Sequence, residues 1–207
     1  MIQETLRVQL GRDEVIEKRP FTHPDYITKD HAVLSHMAER LVMVLKTHVD
    51  TLQMGQPIFI DEPDGQQHRY YVSALADLLR ARRIFVVGFF GQMREGMSRD
   101  YFGDLDDRLT AQIPSFQGIL SYSTMSLPDG NSSNLVLLTD EKLKTKWAEG
   151  GFHKKAISLS PGYYKSVRIN NGEFPQGILK FDLLRITQVK YYDYEDDLPW
   201  KAIRKLT

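Results

Sequence analysis

The sequence has 207 residues, 42% hydrophobic and 26% charged, a balance suited to one globular domain with an attached subdomain or to two small domains. Basic and acidic residues each total 27, so no net field draws nucleic acid or an anionic membrane, and neither is expected as a partner. Cysteine is absent, which excludes disulfides, thiolate metal sites and cysteine nucleophiles and fits a reducing, cytoplasmic location. The opening MIQETLRVQLGRDEV lacks the apolar core of a signal peptide, and no run nears the ~18 apolar residues of a membrane span.

Residues 1–30, punctuated by Pro20 and Pro24, read as an arm or loose cap. From Thr28 or Asp30 a helix is predicted, because Leu34, Met37, Leu41, Leu45, Val49 and Leu52 recur at three- and four-residue steps; Gly55 and Pro57 end it. A stripe this long needs a partner, either the rest of the chain or a second copy. PIFIDEPDGQQHRYYVS reads as a β-hairpin turned at its Asp-Gly pair, and Ser73 as the cap of a short helix, ALADLLRARR. A strand follows over Ile84–Phe90.

GQMREGMS (91–98) then approaches the phosphate-loop pattern G-x-x-x-x-G-K-[ST], but Met97 stands where the lysine should reach the phosphates. Methionine offers neither charge nor donor, so the segment reads as a strand-to-helix turn, with Gln92 and Arg94 as candidates for the mouth of a pocket. A helix is predicted near Arg99–Gln112, with Phe102, Leu105, Leu109 and Ile113 on one face and Pro114 at its end. Strands follow at 116–126 and in NLVLLT, joined by the turn cluster LPDGNSSN. Thr139 or Asp140 caps a helix that Gly150-Gly151 interrupts, and FHKKAIS resumes it. Ser160-Pro161 reads as another helix start and Asn170-Asn171-Gly172 as its stop. LKFDLLRITQVKYYDY is predicted as a long last strand with a bulge at Leu183-Leu184, and EDDLPWKAIRKLT as a tail whose Trp200 must pack on something.

From Ile84 to Tyr194 the order is strand, helix, strand, strand, broken helix, strand. This is the split βαβ order of an α+β, ferredoxin-like sheet with helices on one face. The predicted organisation is an N-terminal extension (1–83), a ferredoxin-like domain (84–194) and a C-terminal tail (195–207). The bare face of such a sheet needs a cover, from a second copy's sheet or from the N-terminal segment.

The stretch PSFQGILSYSTM…PDGNSSNLVLLTDEKLKTKWAEGGFHKK resembles the antibiotic-biosynthesis-monooxygenase-like group of dimeric α+β barrels, with Trp147 and His153 reproducing a W-x5-H spacing. The resemblance covers about 84–194 and implies a homodimeric barrel with a small-molecule pocket between sheet and helices. That group spans cofactor-free oxygenases, haem-degrading enzymes, isomerases and members with no known activity. In the haem-degrading relatives the ligating histidine falls near Ala156 of this chain, so haem is a poor fit and no cofactor is expected.

The candidate site is therefore His153 as acid–base group, with Tyr122, Trp147, Gln92 and Arg94 as ligand contacts. Trp147 and His153 are six residues apart and would not share a face of an unbroken helix, but the glycine pair between them removes that regularity. The other histidines are scattered: the spacings of His31, His36 and His48 give no metal site, and His23 and His68 fall in loop or hairpin settings. Two functions stay open: a cofactor-free monooxygenase-like enzyme acting on a small apolar or aromatic compound, and a non-enzymatic structural or regulatory dimer whose barrel is filled by its own side chains.

Overall fold

The computed structural model describes residues 8–48, 52–53, 55–63, 65–97, 107–108, 110–113, 116–196 and 198–207. In chain order the elements are β1 (Val8–Leu10), α1 (Asp25–His48), β2 (Pro57–Asp61), β3 (Gln67–Val72), α2 (Leu75–Arg80) and β4 (Ile84–Met93). Then come β5 (Ile119–Ser126), β6 (Ser132–Leu138), α3 (Leu143–Glu149), α4 (Gly151–Tyr163), β7 (Tyr164–Phe174), β8 (Arg185–Asp193) and β9 (Trp200–Lys205). Short 3-10 segments cover Pro20–Thr22 and Ile178–Leu183. The chain is α+β. None of its described helices is long and apolar enough to cross a membrane.

Among the described residues, nine strands join one open sheet in the order β1-β9-β8-β7-β4-β6-β5-β3-β2. Among these described strands β1 and β9 pair in parallel and the other neighbours are antiparallel. The hairpin expected at 57–72 is β2–β3, and it extends the sheet beyond β5. Of the helix expected near 99–112, residues 107–108 and 110–112 are helical; Phe102, Leu105 and Leu109 lie outside the described residues.

Four expectations need correction. No helix starts at Ser160-Pro161: Pro161 lies in the last turn of α4, and β7 runs from Tyr164 through Asn170-Asn171-Gly172 between β4 and β8. Tertiary pairing on both sides of β7 overrides the local proline and asparagine signals. The strand expected over 179–194 is a 3-10 segment followed by β8, and the register shift lies between Asn171 and Gly172 of β7. The arm and the tail are both in the sheet, as β1 against β9. Ser73, expected to cap α2, donates instead to the Ile119 carbonyl, and α2 has no side-chain cap.

One face of the sheet is covered by α1, which starts at Asp25, earlier than its apolar stripe. Leu34, Met37, Leu41 and Leu45 are buried against Val86, Phe90, Leu135 and Leu137. Each such side chain contributes roughly 1.5–3 kcal/mol. The helix crosses β4 closely at Gly88, where a Cβ would stand 2.5 Å from a Leu34 methyl carbon. Asp30 at the start of α1 accepts two hydrogen bonds from Arg168 at 2.8 Å each and one from Asn170 at 2.9 Å, so it is locked to β7. Of the two covers the sequence left open for this face, the chain's own N-terminal segment takes it.

The arm and tail are fastened by Arg204, whose side chain is fully buried without a carboxylate. Its guanidinium donates to the carbonyls of Gly11 (2.7 Å), Arg12, Glu14 (2.8 Å) and Thr22 (2.8 Å) and to the Tyr191 hydroxyl (3.2 Å). Such saturation is what makes a buried charge tolerable.

Candidate functional site

The opposite face of the sheet is the floor of a cavity of about 460 Å³ whose roof is α3 and α4. Strand alternation puts every second residue on this face, and the register aligns them in rows. Arg69, Thr124, Asn134, Phe89, Ile169 and Lys190 are successive cross-strand partners from β3 to β8. Beside them run Tyr71, Tyr122, Val136, Val87 and Asn171. Gly91 breaks the next row to admit the Tyr164 ring, which any Cβ there would overlap. That ring meets Phe89 edge-on at 5.3 Å between centroids.

Tyr122, Trp147 and His153 all line this one cavity. The glycine break explains the last two. On a continuous helix they would point apart, but with α3 ending at Glu149 and α4 starting at Gly151 their rings lie 4.9 Å apart at 31°. Trp147 is itself held by Phe116, edge-on at 5.0 Å. The Tyr122 hydroxyl accepts a hydrogen bond of 2.9 Å from Asn134, which ties two floor residues together.

Two lining side chains hold buried polar atoms that no protein group satisfies: His153 Nδ1 and Asn171 Nδ2. Burial lowers the His153 pKa to about 4, against a smaller opposing effect of the Trp147 backbone, so the imidazole is neutral at pH 7. At the β8 end of the cavity, burial and then Tyr192 push the Tyr194 phenol up to about 12.

Gln92 and Arg94 do not belong to the lining. Gln92 is exposed and accepts from Ser166 at 3.1 Å. Arg94 donates to the carbonyls of Pro161 (2.9 Å) and Tyr194 (2.6 Å), fastening the end of α4 to the exit of β8. In GQMREGMS, therefore, β4 continues through Met93, a turn follows at Glu95-Gly96, and the arginine serves the backbone. Ala156 lines the cavity and has no side-chain donor atom. Among the described residues no group of three or more metal-binding side chains comes together.

The sequence reading missed a buried polar cluster on the α1 face. Glu62 accepts from Arg40 at 3.1 Å and lies 3.4 Å from both His36 and His68, while the Tyr70 hydroxyl is 2.5 Å from His68 Nδ1. Burial lowers the His68 pKa to about 4, with Glu62 opposing, and burial raises that of Tyr70. The alternation in QHRYYV, which sets His68, Tyr70 and Val72 on one buried face, was the available signal.

No protein-family model matches this chain, and comparison with curated proteins finds no similar sequence.

Proposed function

We propose that this chain binds a small, largely apolar organic molecule in the cavity between its sheet and α3–α4. The observation that carries the reading is that Tyr122, Trp147 and His153, chosen from the sequence alone, border a single space of about 460 Å³. Its walls combine aromatic and aliphatic surface with a few convergent polar atoms, as small-molecule sites do. That volume counts against a barrel filled by its own side chains. With α1 over the second sheet face, the pocket is built within one chain and needs no partner copy to close it.

A catalytic extension is favoured by one specific observation. His153 lines the cavity and has a buried, unpartnered Nδ1, so its neutral imidazole is placed to accept a hydrogen bond from a bound N–H or O–H. To remove a proton, as the cofactor-free oxygenase chemistry of the resembled group would need, its basicity would have to rise when the ligand binds.

The test is a ligand screen by thermal shift, run on the wild type and on Val87→Trp, which fills the floor. Compounds that raise the melting temperature of the wild type and not of the variant support the reading. Equal shifts in both proteins, or none in either, would sink it.

A further inference from the structure

The floor of the cavity changes character from strand to strand. Among the described residues, β3 and β5 contribute Gln67, Arg69, Tyr122 and Thr124, each with polar atoms. The lining residues of β4 are Val87, Phe89 and Met93, all apolar. Strand β6, between β5 and β4, divides along its length, with Ser132 and Asn134 in its first part and Val136 and Leu138 in its second. Trp147 and Ala156 of the roof pack with Val87, Val136 and Leu138 in one apolar cluster. The space is therefore two-sided, polar over β3, β5 and the start of β6 and apolar over β4 and the end of β6.

The polar side also holds groups with nothing to bind. Among the described residues the Thr124 and Ser132 hydroxyls, both on the cavity, have no hydrogen-bond partner. Asn134 donates its amide nitrogen to the Tyr122 hydroxyl at 2.9 Å, so its carbonyl oxygen is what it offers the cavity. Thr124 and Asn134 are opposite each other across β5–β6, which sets their Cβ atoms ~5 Å apart. Ser132 stands two residues before Asn134 on the same face. Each hydroxyl both donates and accepts, whereas the Asn134 carbonyl only accepts. A carboxylate or an ether, which only accepts, would leave that carbonyl unmet. A head carrying several O–H groups of its own satisfies all three.

We propose that the ligand is an apolar molecule with a hydroxyl-rich head of the kind a single sugar ring supplies. The head lies over Thr124, Ser132 and Asn134, and the apolar body lies over Val87 and Phe89 against Trp147. This rests on the binding reading above and narrows it to a chemical class.

The experiment compares 2-naphthyl β-D-glucopyranoside with its two halves, 2-methoxynaphthalene and methyl β-D-glucopyranoside, by calorimetry with the chain titrated into each probe. The naphthyl glucoside is expected to bind tightest, by about tenfold over methoxynaphthalene, and methyl glucoside weakest. Thr124→Val and Ser132→Ala each remove one hydroxyl at a half-buried strand position and leave the fold intact. Each is expected to weaken the naphthyl glucoside by about threefold or more and to leave methoxynaphthalene within about twofold. Equal binding of naphthyl glucoside and methoxynaphthalene overturns the hydroxyl-rich head and leaves the pocket reading standing. A glucoside advantage that survives both substitutions overturns the placement of the head. Methyl glucoside binding as tightly as the naphthyl glucoside overturns the two-sided site. Failure of both naphthyl probes to bind overturns the pocket reading as well.

Discussion

Substituting Gly88 by alanine puts a methyl group between β4 and α1. Its carbon would lie 2.5 and 2.7 Å from the two Leu34 methyl carbons, where ~3.5–4.0 Å is comfortable, so about 1 Å of overlap must be cleared. Leu34 is fully buried and has little room to swing away. Overpacking of this kind costs ~1–3 kcal/mol. The backbone at Gly88 is not in the left-handed region, so alanine would otherwise stabilise the fold by ~0.4–1 kcal/mol through the unfolded chain. The expected net effect is a loss of about 1–2 kcal/mol. Leu34→Ala alone is expected to cost ~2–5 kcal/mol by leaving a cavity. With Leu34 truncated the overlap is gone, and Gly88→Ala becomes neutral or mildly stabilising. The two changes should therefore couple by about 1.5–3 kcal/mol in a double-mutant cycle read from urea midpoints at unchanged slope. If Gly88→Ala stabilises the wild type, or if the two effects simply add, α1 does not cross the sheet at Gly88 and the cover for that face must come from elsewhere.

Three further outcomes follow from buried polar groups. Arg204→Met strands carbonyls of residues 11–22 and is expected to cost ~3 kcal/mol or more, with protease cleavage appearing in that segment; an unchanged melting temperature would contradict the clamp. Arg94→Ala is expected to lower stability by ~1–3 kcal/mol with ligand affinity nearly unchanged, and a selective loss of affinity would return Arg94 to the binding site. His68 and His153 have folded-state pKa values near 4 against 6.5 for the free side chain. Both states are neutral above pH 6.5; below it the unfolded chain gains protons that the fold refuses. Stability is therefore full above pH 6.5 and is lost as pH falls towards 4, by on the order of 3 kcal/mol for each histidine. Urea midpoints between pH 7 and 4.5 check this, and a His68→Gln, His153→Gln double variant should flatten the slope; an equal slope in the variant would refute the assignment.

Long, strongly periodic segments were legible in the sequence. The α1 stripe, the β2–β3 hairpin, β4 to β6 and the glycine break before His153 all follow from apolar spacing and turn chemistry. What failed was local punctuation read without its partners. Ser160-Pro161 resembles a helix start, yet Pro161 sits in the closing turn of α4 because β7 is fixed immediately after it by pairing with β4 and β8. Residues 8–10 and 200–205 are too short to declare themselves as strands, and it is Arg204, a charge in a polar-looking tail, that fastens them. Of the candidate site residues, those on regular elements (Tyr122, Trp147 and His153) reach one cavity. Gln92 and Arg94, at the frayed end of β4, turn elsewhere. Asn171 went unread as a site residue because the segment was assigned to a helix stop.

The most direct test of the account is a titration of Trp147 emission in the Trp200→Phe protein with a compound that raises the wild-type melting temperature in the screen, repeated in Val87→Trp, Trp200→Phe with calorimetric readout. The account predicts saturable binding at one site per chain that is lost when the cavity floor is filled. Undiminished binding after the floor is filled, or a Trp147 signal that never saturates, would contradict it.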